Sequence, residues 1–249
     1  MNLRQIREEC WAQARDTAEA DVDKLWPTKD MDRYINRVYR FIARETQCIK
    51  DSTTAAVCLL DVDPVDYTTY SAGTLDYIWA NDSDDWLYQK DVTPYLLTLH
   101  TSILQIDVCK WMSQPWALRK VSYRKWEVNP WWMKVMGQPT EYAQDLETGK
   151  LALNYRTETA DKLHLHVRRM PLTDLTLDTD SPEFHVQYHD FMINGVMMWM
   201  YRKRDAETLD EAKATEFETA FLRDVDEIKQ QVSQKEEHLR PNQALSAFL

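Results

Sequence analysis

A chain of 249 residues with ten Trp but only four Gly has little room for Gly-rich phosphate loops, or for folds that turn repeatedly at positive φ. Its hydrophobic share of 44% and charged share of 29% are those of a globular protein long enough to bury a sizeable core. A net charge of −11 argues against general affinity for nucleic acid, because phosphate contacts supply most of that binding.

Leu3, Ile6, Cys10 and Ala14 share one stripe and predict a helix over 3–19, broken by Trp26-Pro27-Thr28-Lys29-Asp30. Met31, Tyr34, Ile35, Val38 and Ile42 predict a second helix, whose other face carries Arg33, Arg37, Arg40 and Arg44. From Thr53 to Gln89 the composition turns to Thr, Val, Tyr and Trp. Turn signals at Asp63-Pro64, Ser71-Ala72-Gly73 and Asn81-Asp82-Ser83 divide it into short strands. Asp91 to Met112 is expected to be helical, with Pro94 in its first turn and Leu96, Leu99, Ile103, Ile106 and Met112 forming an apolar face.

The following stretch is irregular, with Pro115, Pro130 and Pro139, and Trp111 to Trp132 contains five of the ten Trp. A second strand region runs from Tyr142 to Met170, with Glu147-Thr148-Gly149-Lys150 as a hairpin turn between Tyr142–Leu146 and Leu151–Tyr155. Leu163, Leu165 and Val167 alternate with His164, His166 and Arg168, the period of a half-buried strand. Ser181-Pro182 is expected to open a helix from Glu183 to about Arg204, apolar nearly all round between Phe191 and Met200 and therefore central. A last helix, from about Glu207 to His238, places Leu209, Phe217, Phe221, Val225, Ile228 and Val232 on one stripe, and Pro241 ends it.

The fold class read from this order is α+β. Residues 1–50, 91–112 and 181–239 are expected to form a helical bundle. Residues 51–90 and 139–172 are expected to form a smaller unit, a β-sheet or barrel-like, with a Trp-rich contact loop over 113–138 and a C-terminal tail over 240–249.

Catalytic patterns are thin. His185 and His189 have the i, i+4 spacing of a two-His metal site, but no third ligand is evident. His164 and His166 share a strand face and make an incomplete zinc set. Asn81-Asp82-Ser83-Asp84-Asp85 lacks the turn Gly and distal Glu of a calcium loop. Asp61 and Asp63 would serve glycoside hydrolysis only at a defined separation across a sugar. Nucleophile elbow, P-loop and dinucleotide fingerprint are all absent from the sequence, so neither a catalytic set, a metal nor a cofactor is expected. Cys10, Cys48, Cys58 and Cys109 are widely spaced and read as reduced core residues.

The N-terminus lacks a signal peptide's apolar centre, and the longest apolar stretch, Phe191 to Tyr201, is too short to span a bilayer. The expected place is therefore the cytoplasm, or a particle assembled there, without a membrane anchor.

Charge is unevenly placed. Residues 51–91 contain nine Asp and one Lys, a local −8, whereas residues 110–135 contain six Lys or Arg against Glu127, a local +5. Opposed patches suit head-to-tail contact between identical copies. Trp116, Arg119, Arg124, Trp126, Trp131 and Trp132 mix the residue types that dominate protein–protein contacts, and they are expected to pack within the subunit or against a neighbour or tail protein. Aromatics among cations also suit single-stranded nucleic acid.

Several segments, in order, resemble the head–tail adaptor family of tailed bacteriophages, including its tail tubular (gatekeeper) members. They are Asp32-Arg33-Tyr34-Ile35-Asn36 opening a helix to Ile42-Ala43-Arg44, and Gly137-Gln138-Pro139-Thr140-Glu141-Tyr142. Next come Gly149-Lys150-Leu151-Ala152-Leu153 and Leu163 to Pro171. Tyr188-His189 follows, and then Tyr201 to Thr208. One departure is Asn154-Tyr155-Arg156-Thr157, where the family pattern would place Pro near the strand end.

The resemblance implies a non-enzymatic ring, a dodecamer, beneath the portal protein. Such a ring joins the portal to the tail tube or nozzle protein and lines a channel through which double-stranded DNA passes without specific binding, at the head–tail junction of the virion. The apolar tip of the chain is expected to dock on the portal through Leu239, Arg240, Pro241, Leu245, Phe248 and Leu249. Two other readings remain: another tail or baseplate component touching glycans through exposed Trp, and a cell-wall hydrolase.

Overall fold

The structure, a computed structural model, describes residues 1–16, 18–21, 24–62, 96–122, 124–127, 137–144, 148–155, 157, 159–203 and 209–239. In chain order its elements are α1 (Leu3–Ala14), α2 (Thr28–Thr46), β1 (Lys50–Asp51), α3 (Ala55–Cys58), β2 (Leu59–Val62), β3 (Leu96–Thr98) and β4 (Ile103–Trp111). There follow β5 (Arg119–Lys120), α4 (Arg124–Glu127), β6 (Glu141–Gln144), β7 (Lys150–Leu153), β8 (Asp161–Arg169), α5 (Phe191–Tyr201) and α6 (Glu211–Leu239). The architecture is α+β, as the sequence predicts. Two compact units divide the chain, Met1–Lys50 with Arg168–Leu249, and Asp51–Val167.

In the first unit, α1 starts at a reciprocal cap: the Asn2 side chain accepts from the Gln5 amide and the Gln5 side chain from the Asn2 amide, both at 2.9 Å. It stops at Arg15, in the left-handed region at φ 58°, short of the expected end at 19. The predicted stripe of α2 is buried in full, and each such Ile or Val adds roughly 1.5–3 kcal/mol of burial. Asn36 locks this helix to the 175 segment, donating to the Leu175 carbonyl at 2.9 Å and accepting from its amide at 2.8 Å. Apolar on nearly every side, α5 packs against α1, α2 and α6. Gly195 permits that approach: a Cβ there would lie 2.8 Å from both Val38 Cγ1 and Phe221 Cε2.

Two helix predictions in this unit need correction. Residues 181–190 are not helical apart from a 3₁₀ turn at Val186–Tyr188, and α5 begins only at Phe191. The Glu183 amide, which a helix start would leave unpaired, donates to the Tyr39 hydroxyl at 2.8 Å, and Phe184 packs edge-on against the Tyr39 ring. These contacts hold 183–185 out of helical geometry. Leu209 precedes α6 and is 50% exposed, so the buried stripe of that helix is Ala214, Phe221, Val225 and Ile228, flanked by Phe217 and Val232. The Asp210 carboxylate accepts from the Lys213 amide at 3.0 Å and sets this later start.

In the second unit, β8 is hydrogen-bonded to β1, β2 and β4, with Leu59 opposite His164 and Val62 opposite Asp161. The other sheet runs β3–β7–β6–β5, antiparallel except for the parallel β5–β6 pair. Leu163, Leu165 and Val167 of β8 meet Tyr142, Leu151 and Leu153 in one core. The predicted hairpin is present as β6 and β7, with Gly149 at φ +71° in the connection. Asn154, the first residue of the stretch that departs from the family pattern, is buried; its Oδ1 accepts from the Thr140 and Glu141 amides, each at 3.0 Å, tying the strand end.

The helix expected over 91–112 is overturned in its described part. Leu96–Thr98 and Ile103–Trp111 are strands, and they belong to this unit rather than with the helices. Between them the His100 ring accepts from the Ser102 amide at 3.2 Å and lies 2.8 Å from its hydroxyl, a local turn that competes with helix formation. Cys109 and Trp111 then face the core on alternate positions. Of the strands expected over Thr53–Gln89, β2 is described, preceded by α3, and residues 63–95 lie outside the described residues.

Candidate contact surfaces

The basic, Trp-rich segment resolves into distinct environments. Trp111 ends β4, buried, with its indole N–H donated to the Pro139 carbonyl at 3.1 Å. Trp126 sits on α4, 4% exposed, against Ala143 and Ala152. Those two alanines are directly paired across β6 and β7, and the shallow spot left by their small side chains is where the indole packs. Its N–H donates to Glu141 Oε2 at 3.2 Å. Arg119 and Lys125 reach the other oxygen, Lys125 at 2.7 Å. Burial alone would push the Glu141 carboxyl up, but the three donors outweigh it and hold the group down at about 2.

Arg119 and Trp126, expected at a contact, thus converge on a carboxylate of their own unit. Trp116 is 51% exposed, Arg124 is exposed, and Trp131 and Trp132 lie outside the described residues. Leu239 is the last residue of α6; Arg240, Pro241, Leu245, Phe248 and Leu249 also lie outside them.

A second surface was legible in the sequence only as the charged face of α2. Arg33, Arg37, Arg40 and Arg44 line a groove of about 680 Å³ together with Trp199 and Arg202, floored by Val38, Phe41, Met198 and Phe221. Each cation is differently held. The Arg40 guanidinium forms two hydrogen bonds to Asp174, at 2.6 and 3.0 Å. Arg44 pairs with Glu45 at 3.1 Å, and Arg202 with Glu218 at 2.6 Å. Arg37 lies 3.5 Å from the centroid of the Trp199 ring and has no carboxylate partner among the described residues. Stacked this way, a guanidinium keeps its N–H edge available to an acceptor.

Helix α6 supplies a third feature. Val232 packs on the core; Ser233, Gln234 and Lys235 are exposed, and the helix continues to Leu239.

The titratable groups singled out in the sequence do not assemble into a reaction centre in the described part. Among the described residues, no group of three His, Cys, Asp or Glu is placed to hold a metal ion. His164 donates through Nε2 to the Ser52 carbonyl at 2.7 Å and stacks edge-on with His166. His189 is buried, and desolvation lowers its proton affinity, whereas His185 accepts from the Gln187 amide at 3.3 Å. Asp61 pairs with Lys162 at 2.8 Å, and Asp63 and the 81–85 loop lie outside the described residues. All four cysteines are free; burial pushes the Cys10 and Cys109 thiols up, the latter to about 12, which suppresses the thiolate. Among the described residues no helix is long and apolar enough to cross a membrane. No known protein-family profile and no curated protein matches the chain.

Proposed function

We propose that the chain is a structural head-to-tail adaptor of a tailed bacteriophage, a subunit of a ring that sits beneath the portal, joins it to the tail tube or nozzle and lines the DNA channel at the virion's head–tail junction. The observation that carries this reading is the end of α6. Past Val232, α6 exposes Ser233, Gln234 and Lys235 and continues as helix to Leu239, and it leads into the apolar tip that includes Leu245, Phe248 and Leu249. An exposed helix end gains stability when a partner covers it.

Two further observations support the reading. Residues of the family-like segments occupy structural joints: Asn36 ties α2 to the 175 segment, and buried Arg169 pairs with Glu183 at 2.6 Å. The net charge of −11 also disfavours adhesion to passing DNA. The test is direct. Deleting 240–249 should leave a folded subunit that no longer binds portal, and the intact chain should gain the mass of a ring on adding portal. Retained binding by the deletion variant, or no binding by the intact chain, sinks the proposal.

A further inference from the structure

We infer that the arginine groove of α2 and α5 is a docking site for a second copy of this chain, which presents the acidic, aromatic stretch within residues 61–91. The inference deepens the ring reading and rests on it for the head-to-tail geometry. Three observations carry it.

First, the groove is cationic and apolar together. Arg33, Arg37, Arg44 and Arg202 surround a half-buried Phe41 and Trp199, and Leu222 beside them is 48% exposed. Arg37, stacked at 3.5 Å on Trp199, is a preorganised fork for a carboxylate, and stacked Arg–Trp pairs are the residue types that anchor protein contacts.

Second, the chain contains the complementary sequence. Residues 61–91 include eight Asp and one Lys, interleaved with Tyr67, Tyr70, Tyr77, Trp79, Trp86 and Tyr88. Carboxylates for the guanidinium rim and rings for the apolar floor come from the same stretch. Nucleic acid would supply the anion too, but it must approach a chain whose net charge is −11.

Third, Arg37 has no carboxylate partner among the described residues, whereas Arg119 and Lys125 of the basic segment 110–135 both reach Glu141. The cations of α2 lie at the surface, with Arg33 and Arg44 side chains 69% and 59% exposed. A groove on one copy and its complement elsewhere on the next is the heterologous arrangement that closes into rings.

Complementation tests this with full-length chains. One variant reverses the groove (Arg37→Glu with Arg44→Glu) and another reverses the segment (Asp84→Arg with Asp85→Arg), each checked for an unchanged circular dichroism spectrum and unfolding midpoint. Self-association is followed by sedimentation velocity across a concentration series. The wild type should associate, and each variant alone should associate about 10-fold more weakly or worse. An equimolar mixture of the two should regain association, because the intact groove of one variant meets the intact segment of the other and the two reversed surfaces are again opposite in charge.

A wild type that stays monomeric throughout, a groove-reversed variant that associates like wild type, or a mixture no better than its components overturns the inference. So does a DNA oligonucleotide whose binding is lost on groove reversal while self-association is unchanged. Portal binding is scored separately: complementation without portal binding rejects the adaptor reading alone, and portal binding without complementation rejects the groove contact alone.

Discussion

The indole N–H of Trp126 points at Oε2 of Glu141, 3.2 Å away, and so turns a tryptophan from the most basic stretch of the chain into a structural element of its own β unit. Lys125 and Arg119 complete the same carboxylate, and together they define where acid and mutation act on this unit.

Acid should weaken the second unit through Glu141. The carboxyl is held at about 2, against 4.5 for the free group, so its folded value lies below its unfolded value. Its contribution is therefore complete above about pH 4.5 and is lost as pH falls toward 2. Because Arg119 and Lys125 are largely exposed, solvent screening limits the effect to about 1–2 kcal/mol. Urea unfolding between pH 5 and 2.5 should show this decline in wild type and a flatter acid limb in Glu141→Gln; identical slopes would refute it.

Trp126 and Trp116 should separate cleanly. Replacing buried Trp126 with Ala removes the indole from the Ala143–Ala152 site and should cost about 3–5 kcal/mol. Trp116→Ala, at an exposed position, should stay within about 0.5 kcal/mol of wild type. Equal losses in denaturant titrations would contradict the two environments.

Gly195→Ala should destabilise the helical unit despite the helix preference of Ala. That preference favours Ala by about 1 kcal/mol, but the new Cβ would lie 2.8 Å from a methyl of Val38 and from the ring of Phe221. Overpacking of this kind costs about 1–3 kcal/mol, so the net change should be a lowered midpoint. Pairing it with Phe221→Leu should recover part of the loss, and a raised midpoint for Gly195→Ala alone would argue against the close approach.

Some of the molecule could be read without coordinates because one face of a local pattern meets the core. The stripe of α2, the alternation of Leu163, Leu165 and Val167, and the hairpin around Gly149 are of this kind. Leu96, Leu99, Ile103 and Ile106 also carry helical spacing, yet they lie in and between strands. Spacing records which residues are apolar, and over so short a run it does not record which neighbours will cover them.

The same division runs through the candidate surfaces. Composition and order alone determined the α+β class, the acidic and basic stretches, and the arginine face of α2, since each follows from residue type and short-range period. Only the tertiary structure decided that Trp126 is inward while Trp116 is outward, and that Trp199 of α5 stacks beneath Arg37 of α2. The partners in those cases lie far apart in the chain, and a contact between distant segments leaves no local period to read.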